Sequence, residues 1–274
     1  MNKFFVYQIY YDQSTRQRID PGFLPLNNML NERPDWYEFW VIRNFLNQNQ
    51  LDPDGWYGFL SPSFQRKTGI RASQVREFLE ISNSRADVAL IPFAWEQSAF
   101  FRNPFEQAEL FHPGLTNLTQ AFLDHLNIDI QVNSLICHTG NFTFSNYIIA
   151  RPSYWRKWLF LANAFFDLVE NGSSSLAHAL RASTNYGSEA NQVPIKTFIQ
   201  ERFMALILSD YNFRIATFDI SSTAPIFDRL FPPTIHTRGL LQSCDFLKRR
   251  FQESGDNSDL QLYLSLREKV PRNF

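Results

Sequence analysis

Residues 4–11 read FFVYQIYY, and this run of aromatic and β-branched residues predicts a first strand. A turn signal at 20–22 and a polar loop separate it from WYEFWVIRNFLN at 36–47, which predicts a helix capped by Asp35. WYGFL at 56–60 and ADVALIPF at 86–93 predict two more buried strands, with a helix over 73–81 between them. This alternation of strands and helices predicts βαβ units and a largely parallel sheet.

The rest of the chain continues the mixed pattern without an internal repeat or a low-complexity linker. We expect strands at 141–150 and 213–220, short helices and loops over 94–114, and a Ser-, Gly- and Asn-rich loop over 171–191. Helical periodicity marks five further segments: 115–126, 152–170, 195–208, 239–251 and 260–269. We therefore expect a single domain over 1–274, with a core at 1–220 and a helical tail at 221–274.

Composition excludes several classes of protein. The 26 basic and 27 acidic residues give a net charge of −1, which offers no field for nucleic acid. Two distant cysteines, Cys137 and Cys244, are expected to be reduced and buried. The start is not a signal peptide, and the most apolar stretch, 158–169, is too short to span a bilayer. We expect a cytoplasmic protein that contacts the inner membrane only peripherally, through a partner or acceptor.

Motifs that would identify common enzymes are absent from the sequence. There is no GxGxxG after the first strand, no GxSxG, no HExxH and no paired-cysteine metal site. Asp52-Pro53-Asp54 has the letters of a DxD motif, but it precedes its strand and is typical of a turn. A divalent cation such as Mn²⁺ or Mg²⁺ therefore remains an open question. The 16% of aromatic residues suit either a ring-rich core or platforms for sugar rings.

Five polar clusters could carry chemistry, and one of them is the run from Asn141 to Tyr147. Two of them suit phosphate binding, on the helix at 36–47 and after the strand at 56–60. Glu106 and His112 are candidate acid and base groups in an aromatic loop, although a lone histidine is more often structural. The pair Glu201-Arg202 reads more readily as a buried structural ion pair than as a catalytic one. The candidate ligand-binding residues are Tyr10, Glu38, Arg43, Asn44, Ser61, Arg66, Lys67, Asn146, Glu201 and Arg202.

In this order, the clusters resemble the bacterial galactofuranosyltransferase domains formerly listed as a domain of unknown function. They also resemble the wider GT-A-like enzymes of capsule and O-antigen synthesis. The segments that carry the resemblance are Glu38 to Asn44, Tyr57-Gly58-Phe59, Ile91-Pro92 with His112, Asn146 to Ile149, Trp158 to Phe160, and Glu201-Arg202. The family's His-Tyr-Arg-Arg after the glycine strand is replaced here by Ser61 to Phe64, so the identity of the donor does not carry over.

The resemblance implies a GT-A-like α/β fold and a glycosyltransferase that moves a sugar from a nucleotide-sugar donor to a bacterial glycan or lipid-linked acceptor. Ser61, Arg66 and Lys67 would lie near the donor diphosphate, and Glu106 or His112 would deprotonate the acceptor. We expect Tyr10, Arg43, Ser61 and Asn146 to converge on one crevice above the parallel strands. The alternative is a non-catalytic carbohydrate-binding or scaffolding module on the same fold. A transferase of another kind would need a phosphate loop that the sequence lacks.

Overall fold

A computed structural model describes residues 3–92, 94–185, 192–220 and 230–274. Its centre is a six-stranded, mostly parallel sheet with strand order β2-β1-β3-β5-β4-β8, in which β5 alone runs antiparallel to its neighbours. The strands are β1 (Lys3–Tyr10), β2 (Leu24–Asn27), β3 (Gly55–Leu60), β4 (Val88–Leu90), β5 (Ile148–Ala150) and β8 (Ile215–Thr217). A separate antiparallel pair is formed by β6 (Ser183–Asn185) and β7 (Gln192–Pro194). The expectation of an α/β fold with a mostly parallel sheet is confirmed.

Helices cover both faces of the sheet, because alternate strand residues point to opposite sides and both sets are apolar. In β1, Val6 packs in the core on one face, while Ile9 packs in the core on the other. The helices in the first part of the chain are α1 (Gln13–Gln17), α2 (Tyr37–Gln48), α3 (Phe64–Thr68), α4 (Ala72–Ser82), α5 (Trp95–Phe100), α6 (Pro104–Phe111) and α7 (Leu115–His125). Those that follow are α8 (Pro152–Asn171), α9 (Ser175–Arg181), α10 (Lys196–Gln200), α11 (Phe203–Asp210), α12 (Ile235–Ser254) and α13 (Asn257–Arg267).

Of the two cores on either face of the sheet, the larger lies between the sheet and the helices α2 and α8. Trp36 and Phe39 stack with ring centroids 4.7 Å apart, and both rings are fully or almost fully buried. The indole Nε1 of Trp155 donates to the backbone oxygen of Tyr57 over 2.9 Å, which ties α8 to β3. Burying each such side chain contributes about 1.5–3 kcal/mol, so this layer fixes α2 against the sheet.

Gly58 sets how closely β3 approaches β5. A Cβ at this position would lie 2.6 Å from Cγ1 of Ile149 and 3.3 Å from the backbone oxygen of Ile148. The glycine therefore admits a close neighbour, and that neighbour is another strand of the sheet. The missing side chain lets the two antiparallel strands pair, and it brings their ends together at the edge of the sheet.

Several local predictions are wrong, each for a physical reason. The region 24–27, predicted as loop, is strand β2, which tolerates Pro25 because it lies at the edge of the sheet. The segment 171–191, predicted as a loop, contains α9, whose Ser174 accepts a hydrogen bond from the backbone of Ala177 as an N-cap. The helix expected at 195–208 is broken at 201–202 into α10 and α11. The strand expected at 141–150 forms only over its last residues, as β5.

The C-terminal helices α12 and α13 pack against each other and against α5 around a third core. They agree with the predicted helical segments at 239–251 and 260–269, although both begin earlier. Both cysteines are free and buried, as predicted, and burial raises the pKa of the Cys137 thiol to about 12. Part of the predicted tail, 221–229, lies outside the described residues.

Candidate functional site

The candidate site lies where the strand order changes direction. From β1, the chain adds β2 on one side of the sheet and then returns to place β3 on the other side. In open α/β sheets, the crevice outside the carboxyl ends of such strands is the usual place for a ligand. Tyr10 ends β1, and Ser61 directly follows β3. Because β5 is antiparallel, Asn146 and Tyr147 enter it at the same edge.

Ser61 and Tyr147 meet at this edge. The Oγ atom of Ser61 and the phenolic oxygen of Tyr147 share a hydrogen bond of 2.9 Å, and the Tyr147 ring packs edge-on against Phe64 with centroids 5.1 Å apart. Burial raises the pKa of Tyr147 above its ordinary value, and the carboxylates of Glu38 and Glu201 raise it further. Tyr147 therefore remains a neutral phenol, and its buried hydroxyl group pairs with Ser61.

Glu201 is the most perturbed carboxyl group at this edge. It is half-buried in the break between α10 and α11. Burial raises its pKa to about 7, with Arg202 and Lys67 opposing the shift and Glu38 adding to it. A carboxyl group with a pKa near neutral exchanges protons readily at physiological pH.

Two cations on α3 face the same edge. The charge of Lys67 lowers the pKa of Glu201, and the charge of Arg66 lowers that of Tyr147. Both residues are in the short helix that follows β3. The edge thus combines two carboxylates, two cations and two hydroxyl groups, which we call the Glu201 cluster: Glu38, Ser61, Arg66, Lys67, Tyr147 and Glu201. Such a set can bind a phosphate and move a proton.

An ion-pair network links the start of α10, the helix that Glu201 follows, to the start of α2, the helix that carries Glu38. Lys196, at the start of α10, has a side chain only 5% exposed and lies 2.6 Å from Asp35, just before α2. Glu170, near the end of α8, accepts from Trp36 Nε1 over 2.8 Å and pairs with Arg33 over 2.7 Å. Burial alone would raise the pKa values of Asp35 and Glu170, but the cations outweigh it and lower both. The network therefore holds Glu38 and Glu201 in fixed relation.

Arg202 points away from its neighbour Glu201. Its guanidinium is buried and donates to the backbone oxygens of Pro104 and Phe198 and to Oε1 of Gln107, over 2.8, 2.6 and 2.7 Å. Burial lowers its pKa to about 10, and the charge of Glu201 opposes that shift. These contacts cross-link α6 to α10. Glu201 therefore belongs to the candidate site, while its neighbour Arg202 stabilises the packing of the helices.

Arg43 and Asn44 do not join the Glu201 cluster, contrary to the expected convergence. They lie more than one helical turn beyond Glu38 on α2, or about 8–9 Å along its axis. The Arg43 guanidinium stacks on Phe166 at 4.0 Å, and Asn44 accepts from Gln48 over 2.9 Å. Helical spacing separates these residues, since only the first turn of α2 reaches the edge of the sheet.

Tyr10 and Asn146 lie at the edge without a contact that joins them to the cluster. The Tyr10 ring is buried, with Arg16 at 5.8 Å from its centroid. Asn146 is half-buried beside Tyr147, and its backbone oxygen accepts from Ile148. Of the four residues expected to converge, Tyr10, Ser61 and Asn146 thus reach neighbouring strand ends, and Arg43 does not.

Glu106 lies in the helix α6 and His112 directly follows it as the C-cap, in a region where short helices and loops were predicted. The Glu106 carboxylate accepts from Nη1 of Arg267 over 2.9 and 3.0 Å, and from the backbone and Nε of Arg102 over 2.6 and 3.0 Å. His112 is buried, and its ring stacks on Phe198 with centroids 3.6 Å apart. These contacts favour packing roles for both residues, and their proposed acid and base roles stay predictions.

Tyr147 is a residue that the sequence argument missed, although its neighbour Asn146 was chosen. The signal was available, because a tyrosine that enters a strand at the carboxyl edge is well placed for ligand contact. For metal binding, residues 3–92, 94–185, 192–220 and 230–274 contain no group of three or more His, Cys, Asp or Glu side chains that could hold an ion.

Comparison with known proteins finds no similarity: no family model, no curated protein and no solved structure matches the chain. Among the helices in the described parts of the chain, none is both long and apolar enough to cross a bilayer.

Proposed function

We propose that this protein is a glycosyltransferase that moves a sugar from a nucleotide-sugar donor to a glycan or lipid-linked acceptor. The observation that carries the proposal is the convergence of Glu201, Glu38, Arg66 and Lys67 at the switch point of a mostly parallel sheet. This chemistry matches what such a transfer needs, namely cations for a diphosphate and a carboxylate that accepts a proton near neutral pH. The GT-A-like identity of the fold is part of the proposal.

In the proposed mechanism, Arg66 and Lys67 bind the donor diphosphate. The acceptor hydroxyl attacks the anomeric carbon, and its proton passes to the carboxylate of Glu201. The bond between the anomeric carbon and the phosphate oxygen breaks, and the diphosphate leaves with the electron pair. The two cations stabilise the charge that develops on it. Ser61 and Tyr147 orient a sugar hydroxyl, because both are neutral hydrogen-bonding groups at the same edge.

Glu201 replaces Glu106 and His112 as the proposed base. The reason is electrostatic: burial raises the pKa of Glu201 to about 7 within the field of Lys67, whereas two arginines hold the carboxylate of Glu106. A base must be deprotonated in the free enzyme, so kcat/KM is expected to rise as the pH increases through about 7 and then level off.

The test is a panel of nucleotide sugars, measured by thermal shift and by release of free nucleotide, with and without manganese. At least one donor should bind, and Arg66→Gln should weaken its binding about tenfold, because an arginine–phosphate contact contributes about 1.4 kcal/mol. Arg85→Gln removes an equal charge just beyond α4 and should leave the affinity unchanged.

Failure of every nucleotide sugar to bind would reject the donor site. Binding of glycan without release of nucleotide would instead support the non-catalytic carbohydrate-binding module.

A further inference from the structure

A polar pocket lies beside α3, outside the Glu201 cluster. Its volume is about 570 Å³, and it opens between the loop after β1 and the start of α4. Three arginines line it: Arg18 from the loop, and Arg71 and Arg76 from α4 and its N-cap. Asp20 and Gln65 complete its polar wall. We call it the arginine pocket.

The walls of the arginine pocket are clamped together. One carboxylate oxygen of Asp20 accepts from the backbone of Gly22 over 3.0 Å, and the other accepts from the backbone of Ala72 over 3.1 Å. The loop approaches α4 so closely that a Cβ on Gly22 would lie 2.6 Å from Cβ of Ala72. The negative charge of Asp20 therefore faces the N-terminus of α4, where it is stabilised. Because these contacts lie within the protein, the shape of the pocket does not depend on a ligand.

The pocket carries an excess of positive charge on a chain whose net charge is −1. Arg18 uses Nε to donate to the backbone oxygen of Ser14 over 3.3 Å. Arg76 pairs with Glu80 over 3.2 Å, but both side chains are more than half exposed, at 72% and 53%, so that pair contributes little. The planar guanidinium groups therefore retain donors for a ligand, and their geometry matches the oxygens of a phosphate.

The arginine pocket adjoins the Glu201 cluster through one helix. Gln65 of α3 lines the pocket, while the next two residues, Arg66 and Lys67, act on the cluster. Phe64 links the two sides, since its ring packs edge-on against Phe23 of the loop at 5.8 Å and against Tyr147 at 5.1 Å. A ligand that extends over α3 would reach both places.

We propose that the arginine pocket binds a phosphate or pyrophosphate group separate from the donor diphosphate. The volume of the pocket is in the range of organic-ligand sites, so the phosphate is expected to carry an attached group. If the proposed transfer is correct, that group is the acceptor. The existence of the anion site itself does not depend on the transferase activity.

The experiment measures binding of inorganic pyrophosphate by calorimetry at low ionic strength. The triple variant Arg18→Gln, Arg71→Gln, Arg76→Gln should weaken binding about a hundredfold, which corresponds to about fivefold for each arginine, or about 1 kcal/mol each. The control triple variant Arg85→Gln, Arg156→Gln, Lys269→Gln makes the same change in net charge at exposed positions that do not line the pocket. Its affinity should remain within about twofold of the wild type.

Equal affinity of the wild type and the arginine-pocket variant would overturn the proposal, as would absence of pyrophosphate binding at low salt. Loss of binding in Arg66→Gln alone would also overturn it, because the anion would then occupy the donor side.

Vesicles of phosphatidylglycerol in phosphatidylcholine distinguish the source of the phosphate. Capture of the wild type but not the variant indicates a lipid phosphate, while pyrophosphate binding without capture indicates a soluble one. The nucleotide-sugar panel tests the transferase separately.

Discussion

Glu106 and Glu201 are both half-buried carboxylates, yet their surroundings differ in kind. Glu106 receives hydrogen bonds from two arginines, which link α6 to α13. Glu201 faces a second carboxylate, and burial raises its pKa to about 7. A buried carboxylate that pairs with cations keeps its charge at little cost to the fold. A buried carboxylate next to another carboxylate lowers stability, and such perturbed groups cluster at functional sites. The comparison therefore favours a structural role for Glu106 and supports the proposal of Glu201 as the base.

The largest expected effect comes from Glu201→Gln. Loss of a general base should lower kcat about a hundredfold or more. The pKa of Glu201 is raised from 4.5 to about 7 in the folded protein, so its contribution to stability is complete below about pH 4.5 and is lost as the pH rises through about 7. A permanently neutral glutamine avoids that loss and should raise the free energy of unfolding by about 1–2 kcal/mol at pH 8, with little change at pH 4.

Activity assays and urea unfolding at both pH values check this pair of opposite changes. Glu253→Gln, at an exposed position in α12, should alter neither quantity. A decrease in both activity and stability would show that Glu201 is a structural residue.

The next largest effect is expected from Glu106→Gln, which weakens the pairing of two arginines, one of them 18% exposed. The free energy of unfolding should fall by about 2 kcal/mol, measured in urea. The matched control is Glu268→Gln, because its pair with Arg272 is exposed and should contribute less than about 0.5 kcal/mol. Specific activity at a temperature where both variants are folded should stay within about twofold of the wild type. A hundredfold loss would restore Glu106 as a candidate base.

The smallest effect is expected from Tyr147→Phe. The substitution removes one hydrogen bond to Ser61 and leaves the ring packing with Phe64 intact. Stability should change by less than about 1 kcal/mol, while KM for donor or acceptor should rise several-fold. The matched control is Tyr11→Phe, which removes the same hydroxyl group from an exposed tyrosine. Unchanged kinetics in Tyr147→Phe would remove Tyr147 from the ligand-binding surface.

The sequence predicted the elements whose pattern is strong and local. The strands β1, β3 and β4 and the helices α2, α4, α7 and α8 agree with periodicity and turn signals, within shifts at their ends. The failures need tertiary information. Pro25 is acceptable in β2 only because the strand is at an edge, and α9 depends on one capping serine in a segment whose composition favours a loop.

The candidate site was predicted in part for a similar reason. Glu38, Ser61, Arg66, Lys67 and Glu201 were selected from the sequence, and the structure places them around the same edge. The adjacent pair Glu201-Arg202 suggested a local ion pair, but the break between α10 and α11 sends Arg202 to Gln107 and leaves Glu201 beside Glu38. Which of two neighbours faces a crevice depends on backbone geometry that residue types alone do not specify.

The pairing of β3 with β5 leaves no room for a side chain at Gly58. One methyl group there would occupy the space that Ile149 now fills, and relief would require β5 to shift away from β3. Such a shift would move Tyr147 away from Ser61 and would also disturb the hydrophobic layers on both faces, because Ile148 packs in one and Ile149 in the other. A single hydrogen atom in place of a side chain thus sets how closely Ser61 and Tyr147 approach at the ends of the two strands, and alanine at this position is expected to weaken that contact together with the packing of the sheet.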